Sequence, residues 1–293
     1  MTSIPSVDLV ILTCDRPGLL DQAIGSAIIS CLSCKNASVN LVISDNSTSS
    51  ATRDLCRCLY PQLSYVKRST SALGHFDAVL LSSRADYIVM MHDDDRIMPG
   101  YIERVVELMN SDASLACVAT NALIINEKQQ VSERKFHDTT VDLRIGSVLE
   151  LLECYFGSIP YSVMPFPAYC YRLSAIQGLA MATLAAGKYS DVLFLCSVVE
   201  RGAMLWIREP LYVYRFHSSN DSCRVDFSAL RSLLAILSDS YAAGDLRAPF
   251  LRALHYQASL RYFLIYSLRS FLRPFARPFK KGFCCIRAYF GSS

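Results

Sequence analysis

Residues 85–99 read ADYIVMMHDDDRIMP. The apolar run Tyr87–Met91 is short and leads straight into Asp93, Asp94 and Asp95. A run of that length and composition reads as a buried strand. Three carboxylates at its end are harder to place. Adjacent carboxylates repel, and the repulsion raises the pKa of at least one of them unless a cation compensates. Turn and capping chemistry accounts for one Asp, or two. Three point to something positive at the end of this strand.

The flanking sequence repeats the plan. VDLVILTC (7–14) is a nearly continuous apolar run with β-branched residues and reads as a buried parallel strand. DRPGLLDQAIGSAIISCL (15–32) then has helical spacing, with Pro17 near its first turn. VNLVISDNSTSS (39–50) is again a strand followed by a polar turn. A third strand is expected at Leu63–Val66, a helix over 74–84, and a helix opened by Pro99 after the aspartates. Alternating strands and helices predict a βαβ crossover sheet of the α/β class. In such sheets ligands collect beyond the carboxyl ends of the strands. Three strands end in polar residues: Thr13-Cys14-Asp15-Arg16, Ser44-Asp45-Asn46 and His92-Asp93-Asp94-Asp95. In a parallel sheet those three tips share one edge.

Composition bounds the alternatives. The chain has 293 residues, 52% hydrophobic and 19% charged, which suits one large α/β domain or one domain plus an extension. A net charge of +3 is too mild to argue for nucleic acid. The 12 cysteines are scattered rather than arranged as a disulfide framework, and the opening residues do not read as a secretory signal. A reducing, cytoplasmic setting is expected. Cys31/Cys34 and Cys56/Cys58 resemble zinc spacing only faintly, because the second pair is too close and both fall in helical stretches. No uncharged apolar run reaches spanning length; the nearest, 154–171, contains Pro160, Pro165 and Pro167.

An Asp at a strand tip can accept a hydrogen bond from a ribose hydroxyl or a base N–H. Paired aspartates can hold Mg²⁺ or Mn²⁺, which in turn bridges a diphosphate. Neither GxGxxG nor GxxxxGK[ST] occurs, so a nucleotide here would have its phosphates neutralised by metal rather than by a glycine-lined helix start. Taken singly, each Asp also reads as a turn or capping residue.

With these motifs in order, the chain resembles a family 2 glycosyltransferase of the GT-A fold over residues 7–222. That family opens with a strand ending in T-Y-N-R-P, here LTCDRP. Its second strand ends in D-N-x-S, here ISDNSTS. A Gly-containing helix follows, then a strand ending in D-x-D-D with Pro four residues on, here SALGHFDAVLLSSRADYIVMMHDDDRIMP. The resemblance implies a mixed, mostly parallel Rossmann-like sheet flanked by helices in a catalytic domain at 1–222, with a helical extension at 223–293. It implies that Thr13, Asp15, Arg16 and Asp45 line the nucleotide pocket and that Gly74 and Asp77 border it. Asp93 and Asp94 would serve nucleotide sugar, and the run Asp93, Asp94, Asp95 would share the ribose and a divalent metal, Mn²⁺ or Mg²⁺. One departure stands out: counted back from Pro99, His92 occupies the place of the first Asp of the motif. Both registers, Asp93/Asp95 and His92/Asp94, stay open at this point.

The second half supplies the remaining parts that the resemblance implies. A catalytic base is needed to deprotonate the acceptor hydroxyl, and the family places an Asp at the start of a late helix. Ser190-Asp191 matches, making Asp191 the base, although a helix N-cap suits the position too. The family motif Y-R-x-H appears as Tyr214-Arg215-Phe216-His217, with Arg215 toward the diphosphate and His217 as a further metal ligand. The stretch MPFPAYCYRLSAIQGL (164–179) is expected to form a strand and helix beside the acceptor pocket, its aromatics either stacking on sugar or packing in the core.

After Asp245 no further acid occurs, while Arg252, Arg261, Arg269, Arg273, Arg277, Lys280, Lys281 and Arg287 alternate with Phe, Tyr and Leu. That composition suits an anionic membrane surface, here the cytoplasmic face of the inner membrane. The expected function is metal-dependent, inverting transfer of a sugar from a UDP- or dTDP-type donor to a glycan or lipid-linked glycan in surface polysaccharide synthesis, with no nucleic-acid partner. A sugar-phosphate nucleotidyltransferase and a non-catalytic nucleotide-sugar-binding relative are the alternatives.

Overall fold

The computed structural model describes residues 4–126, 131–156, 163–216 and 226–241. The first half is laid out as β1 (Ser6–Thr13), α1 (Pro17–Ser33), β2 (Ser38–Asp45), α2 (Ala51–Leu59), β3 (Ser64–Lys67), α3 (Ala72–Ser82), β4 (Tyr87–His92), β5 (Arg96–Ile97) and α4 (Tyr101–Ser111). The second half contributes β6 (Leu115–Ile125), β7 (Val131–Lys135), β8 (Leu143–Ile145), α5 (Val148–Phe156), β9 (Tyr169–Arg172), α6 (Leu173–Ile176), α7 (Ser190–Val199), β10 (Ala203–Arg215) and α8 (Phe227–Tyr241). The ten strands form one sheet in the order β3-β2-β1-β4-β9-β6-β10-β5, with β7 paired to β6 and β8 to β10.

The strands β3, β2, β1 and β4 are parallel. Their register puts Thr13 level with Asp45 and Leu12 level with His92, so the three polar tips do share one edge. Beyond them the sheet is mixed: β9 runs antiparallel between β4 and β6, and β6 and β10 are parallel to each other. Side chains alternate across β1. Val7, Leu9 and Ile11 pack under α1 and α4 with Leu20, Ile24, Ile102 and Val105, whereas Val10 faces the opposite core of Phe76, Val79, Leu151, Phe194 and Leu233.

Two features differ from the sequence reading. Pro99 does not itself start a helix; Gly100 follows at φ 82, a left-handed turn that glycine tolerates, and α4 begins at Tyr101. The two-residue strand β5 carries no pattern of its own and forms only because β10 is there to pair with it. That pairing, Ile97 with Tyr212 and Arg96 with Val213, carries the end of β10 to the aspartates. In the expected extension, α8 packs Leu230, Leu233, Leu234 and Leu237 into the core beside α7. The basic tail and His217 lie outside the described residues. No helix among the described residues is long and apolar enough to cross a membrane. The nine described cysteines are free thiols, five of them buried.

Candidate functional site at the carboxyl edge of the sheet

The three aspartates separate at once. The backbone N–H of Asp93 donates to the Leu12 carbonyl (3.1 Å), which continues the β1–β4 ladder and turns its side chain against the tip of β1. There its Oδ2 accepts from the Thr13 hydroxyl (2.7 Å) and the Cys14 N–H (3.3 Å). Its Oδ1 lies 2.5 Å from Arg16 Nη2, an ion pair that compensates the charge of this buried atom. Burial pushes Asp93 up to about 6, against the pull of Arg16 and Thr13.

Asp95 faces the other way, to β10. The Tyr212 hydroxyl donates to its Oδ2 (2.9 Å) and the Arg215 N–H to its Oδ1 (2.8 Å). Burial, then repulsion from Asp94, raises this carboxyl well above its ordinary value. Asp94 lies between the two. Arg16 Nη1 donates to its Oδ2 at 2.7 Å, and Arg215 Nε donates to its backbone carbonyl at 2.7 Å. Ligand atoms of His92, Asp94 and Asp95 all lie within 4.8 Å of one another, the one such group of three among the described residues. The group takes in both members of the His92/Asp94 register and, from the other, Asp95. Asp93, expected among the metal ligands, is outside it because Thr13, Cys14 and Arg16 hold its carboxylate at β1.

The neighbouring tip is built by Asp15. It is the only non-glycine described residue with positive φ, at 54°, a conformation Asp adopts more readily than most. Its carboxylate accepts from the N–H groups of Thr48 and Ser49 (3.1 Å each) and the Thr48 hydroxyl (2.9 Å), while its own N–H donates to Ser47 Oγ (2.7 Å). The Thr48 and Ser49 N–H groups hold Asp15 down to about 2. Asp45 is fully buried beneath that loop. Burial alone would raise it, but the Ser47 N–H (2.8 Å), the Tyr65 hydroxyl (2.5 Å) and Lys67 (3.5 Å) hold it below its ordinary value. Asn46 exchanges two hydrogen bonds with Thr70, at 2.8 and 2.9 Å, and so joins the β2 tip to the start of α3. Gly74 donates there to the capping Ser71 hydroxyl at 3.1 Å. Asp77, expected to border the nucleotide pocket, accepts from Met181 N–H (2.6 Å) and Ala182 N–H (2.8 Å), and fixes the turn at 181–183.

Residues 8–168 match the model of a protein family described as "Glycosyl transferase family 2". The match spans more than half of the chain. The chain belongs to glycosyl transferase family 2. It is a glycosyltransferase, and the acidic cluster stands at the strand end where the family carries D-x-D-D. Among solved structures, S. aureus TarS residues 1–349 in complex with UDP-GlcNAc is similar with a TM-score of 0.59 at 11% identity, covering 85% of this chain and 70% of that one. The same TarS segment in complex with UDP gives a TM-score of 0.56 at 11% identity, over 85% and 69%. A longer TarS chain gives 0.60 at 10% identity, over 85% of this chain and 42% of its own. At these identities the likeness is one of fold. No curated protein matches the chain in sequence.

The family's later elements fall on the other half of the sheet. Asp191 is not the N-cap of α7; Tyr189 is, and Asp191 lies half-buried in the first turn, its Oδ1 2.9 Å from the Val192 N–H. A carboxylate suits that end of the helix dipole. Its charge reaches the Tyr169 and Tyr171 hydroxyls, both on β9 next to β4. Those tyrosines, stacked with centroids 5.6 Å apart and fully buried, belong to the core. Arg215 is also buried, its Nη2 donating to Gln22 Oε1 at 3.1 Å; Arg96 donates to the same oxygen. Sequence reasoning missed Tyr212 and Gln22. Neither carries a motif; the β5–β10 pairing brings Tyr212 to Asp95 and Arg215 to Gln22 of α1.

Proposed function

We propose that the chain transfers a sugar from a UDP-type donor to a hydroxyl of a glycan or lipid-linked glycan, with a divalent metal and inversion at the anomeric carbon. The observation that carries this reading is the meeting of β1, β2, β4 and β10 at one edge around Asp93, Asp94 and Asp95. The residues suit a metal by the chemistry of their donors: one imidazole and two carboxylates converge, with a third carboxylate neutralised beside them. His92, Asp94 and Asp95 would hold it. A bound divalent ion supplies Lewis-acid charge to the departing diphosphate.

The chain's own residues do the rest. Asp15 and the loop at 46–49 shape the nucleotide side, and Asp45 braces that loop from below. Arg16 is the more exposed cation, with 39% of its side chain open to solvent, and is placed to meet diphosphate oxygens. Arg215 holds Asp94 and Asp95 in place. Asp191 accepts the proton of the acceptor hydroxyl. The acceptor oxygen forms the new bond to the anomeric carbon as the bond from that carbon to the diphosphate breaks, and a single displacement inverts the centre. An acceptor on a lipid would bring the reaction to an anionic membrane face, which the basic aromatic tail suits.

Asp191→Asn tests the assignment. It is expected to reduce transfer from UDP-sugars by about 10³-fold or more, the scale of losing general-base catalysis, while UDP still raises the melting temperature as in wild type. Transfer at the wild-type rate would remove Asp191 from the mechanism.

A further inference from the structure

We propose that His92 is a nitrogen ligand of the metal, which biases this site toward transition-metal ions and away from Mg²⁺. The inference rests on the metal-dependent reading above and goes beyond it to the choice of ion.

The geometry admits a shared ion. Octahedral ligands at about 2.1 Å stand about 3 Å apart when adjacent and about 4.2 Å when opposite. The ligand atoms of His92, Asp94 and Asp95 already lie within 4.8 Å of one another. His92 is the last residue of β4, half-buried and level with Leu12, so the ladder fixes its backbone. Asp95 is fixed by Tyr212 and Arg215.

The electrostatics favour an imidazole at this position. Asp93, Asp94 and Asp95 already crowd one strand end. A fourth carboxylate at position 92 would add to their mutual repulsion. A neutral imidazole donates an electron pair without adding charge. The ligand set then has two carboxylates and one nitrogen rather than three carboxylates. Mg²⁺ prefers oxygen and gives up its water reluctantly, so it loses the most from this exchange. First-row transition ions accept imidazole readily.

Pulsed electron paramagnetic resonance on the full-length chain tests this, with Mn²⁺ and UDP as probes, the purification tag removed and a nitrogen-free buffer. Wild type is expected to show histidine ¹⁴N coupling to bound Mn²⁺, and labelling with ¹⁵N-histidine should change that coupling without any substitution. His92→Asp should abolish it and move the Mn²⁺/Mg²⁺ affinity ratio toward Mg²⁺ by about tenfold or more. His92→Asn serves if the Asp variant misfolds by circular dichroism. His217→Ala should leave the coupling in place. Bound Mn²⁺ without histidine coupling in wild type would overturn the role of His92 and leave metal-dependent transfer standing. So would coupling that survives undiminished in the His92 variants and disappears in His217→Ala. Folded wild type that binds no Mn²⁺ with or without UDP would overturn both.

Discussion

Tyr212→Phe isolates one bond at the centre of the acidic cluster. Tyr212 is fully buried, and its hydroxyl donates to Asp95 Oδ2 at 2.9 Å. Phe keeps the ring and its edge contact with Tyr101, centroids 6.3 Å apart, so no cavity opens. The change therefore reads the hydrogen bond alone. A bond to a buried charged acceptor contributes about 1.5–3 kcal/mol, and Asp95 keeps the Arg215 N–H as a second donor. The expected loss is about 2 kcal/mol, or about 3 °C in melting temperature for a chain of this size. Urea titration should move the midpoint with no change in slope. Loosening a group that orients a metal ligand costs about tenfold or more in metal affinity, so Mn²⁺-dependent UDP binding should weaken by about that factor. A stability loss under about 0.5 kcal/mol would refute the claim that Tyr212 holds Asp95. A full stability loss with unchanged Mn²⁺ and UDP affinity would show instead that Asp95 is structural and not a ligand.

Asp15→Asn keeps a residue that accepts the left-handed backbone at φ 54 but removes the carboxylate. Because the folded pKa of about 2 lies below the ordinary 3.8, the charge stabilises the fold above pH 4, and this contribution fades as pH falls toward 2. The melting-temperature gap between wild type and variant should be full at pH 7 and narrow between pH 4 and pH 3; a constant gap would assign the effect to loop geometry. Gly202→Ala would place a Cβ 2.8 Å from the Ser114 carbonyl oxygen and 3.1 Å from Ala116, where backbone has to move. It should cost about 1–3 kcal/mol by denaturant titration without altering UDP binding, since Gly202 precedes β10 at the edge away from the aspartates.

The strand tips were legible because each strand announces itself locally. VDLVILT, VNLVISD and YIVMMH are apolar runs with abrupt polar ends, and parallel pairing alone makes those ends coincide. The order of motifs from LTCDRP to DDDRIMP carried the family as well. What was illegible depends on partners distant in sequence. β5 is two residues long and exists only against β10, and without it neither Tyr212 nor Arg215 has any reason to meet Asp95. Asp45 and Asp77 were placed at the nucleotide pocket by family resemblance, which says nothing of what holds their carboxylates. Each is turned inward by donors that spacing does not reveal: Tyr65 from β3 in one case, and the N–H groups of 181 and 182 in the other. The metal register was undecidable from spacing because either choice satisfies alternation. The folded chain shows what spacing could not: the Asp93 carboxylate is held at β1 by Thr13 and Cys14, while His92, Asp94 and Asp95 converge.

The three adjacent aspartates now separate by duty. Asp93 is consumed in tying β4 to β1, and Asp95 in tying β4 to β10, each through uncharged donors that fix direction more than they cancel charge. Among the described residues, Arg16 forms short ion pairs here, divided between Asp93 and Asp94. Burial raises both Asp93 and Asp95, and repulsion from Asp94 adds to it. The site thus leaves a demand for positive charge beside an arginine whose side chain is more than a third exposed. Arg215, 5% exposed and bonded to the Asp94 backbone and Gln22, cannot answer that demand without releasing Asp94 and Asp95. A divalent ion arriving with a nucleotide diphosphate would supply the missing charge to Asp94 and Asp95. It would also free Arg16 to turn toward the phosphates, so that ion and substrate binding reinforce each other.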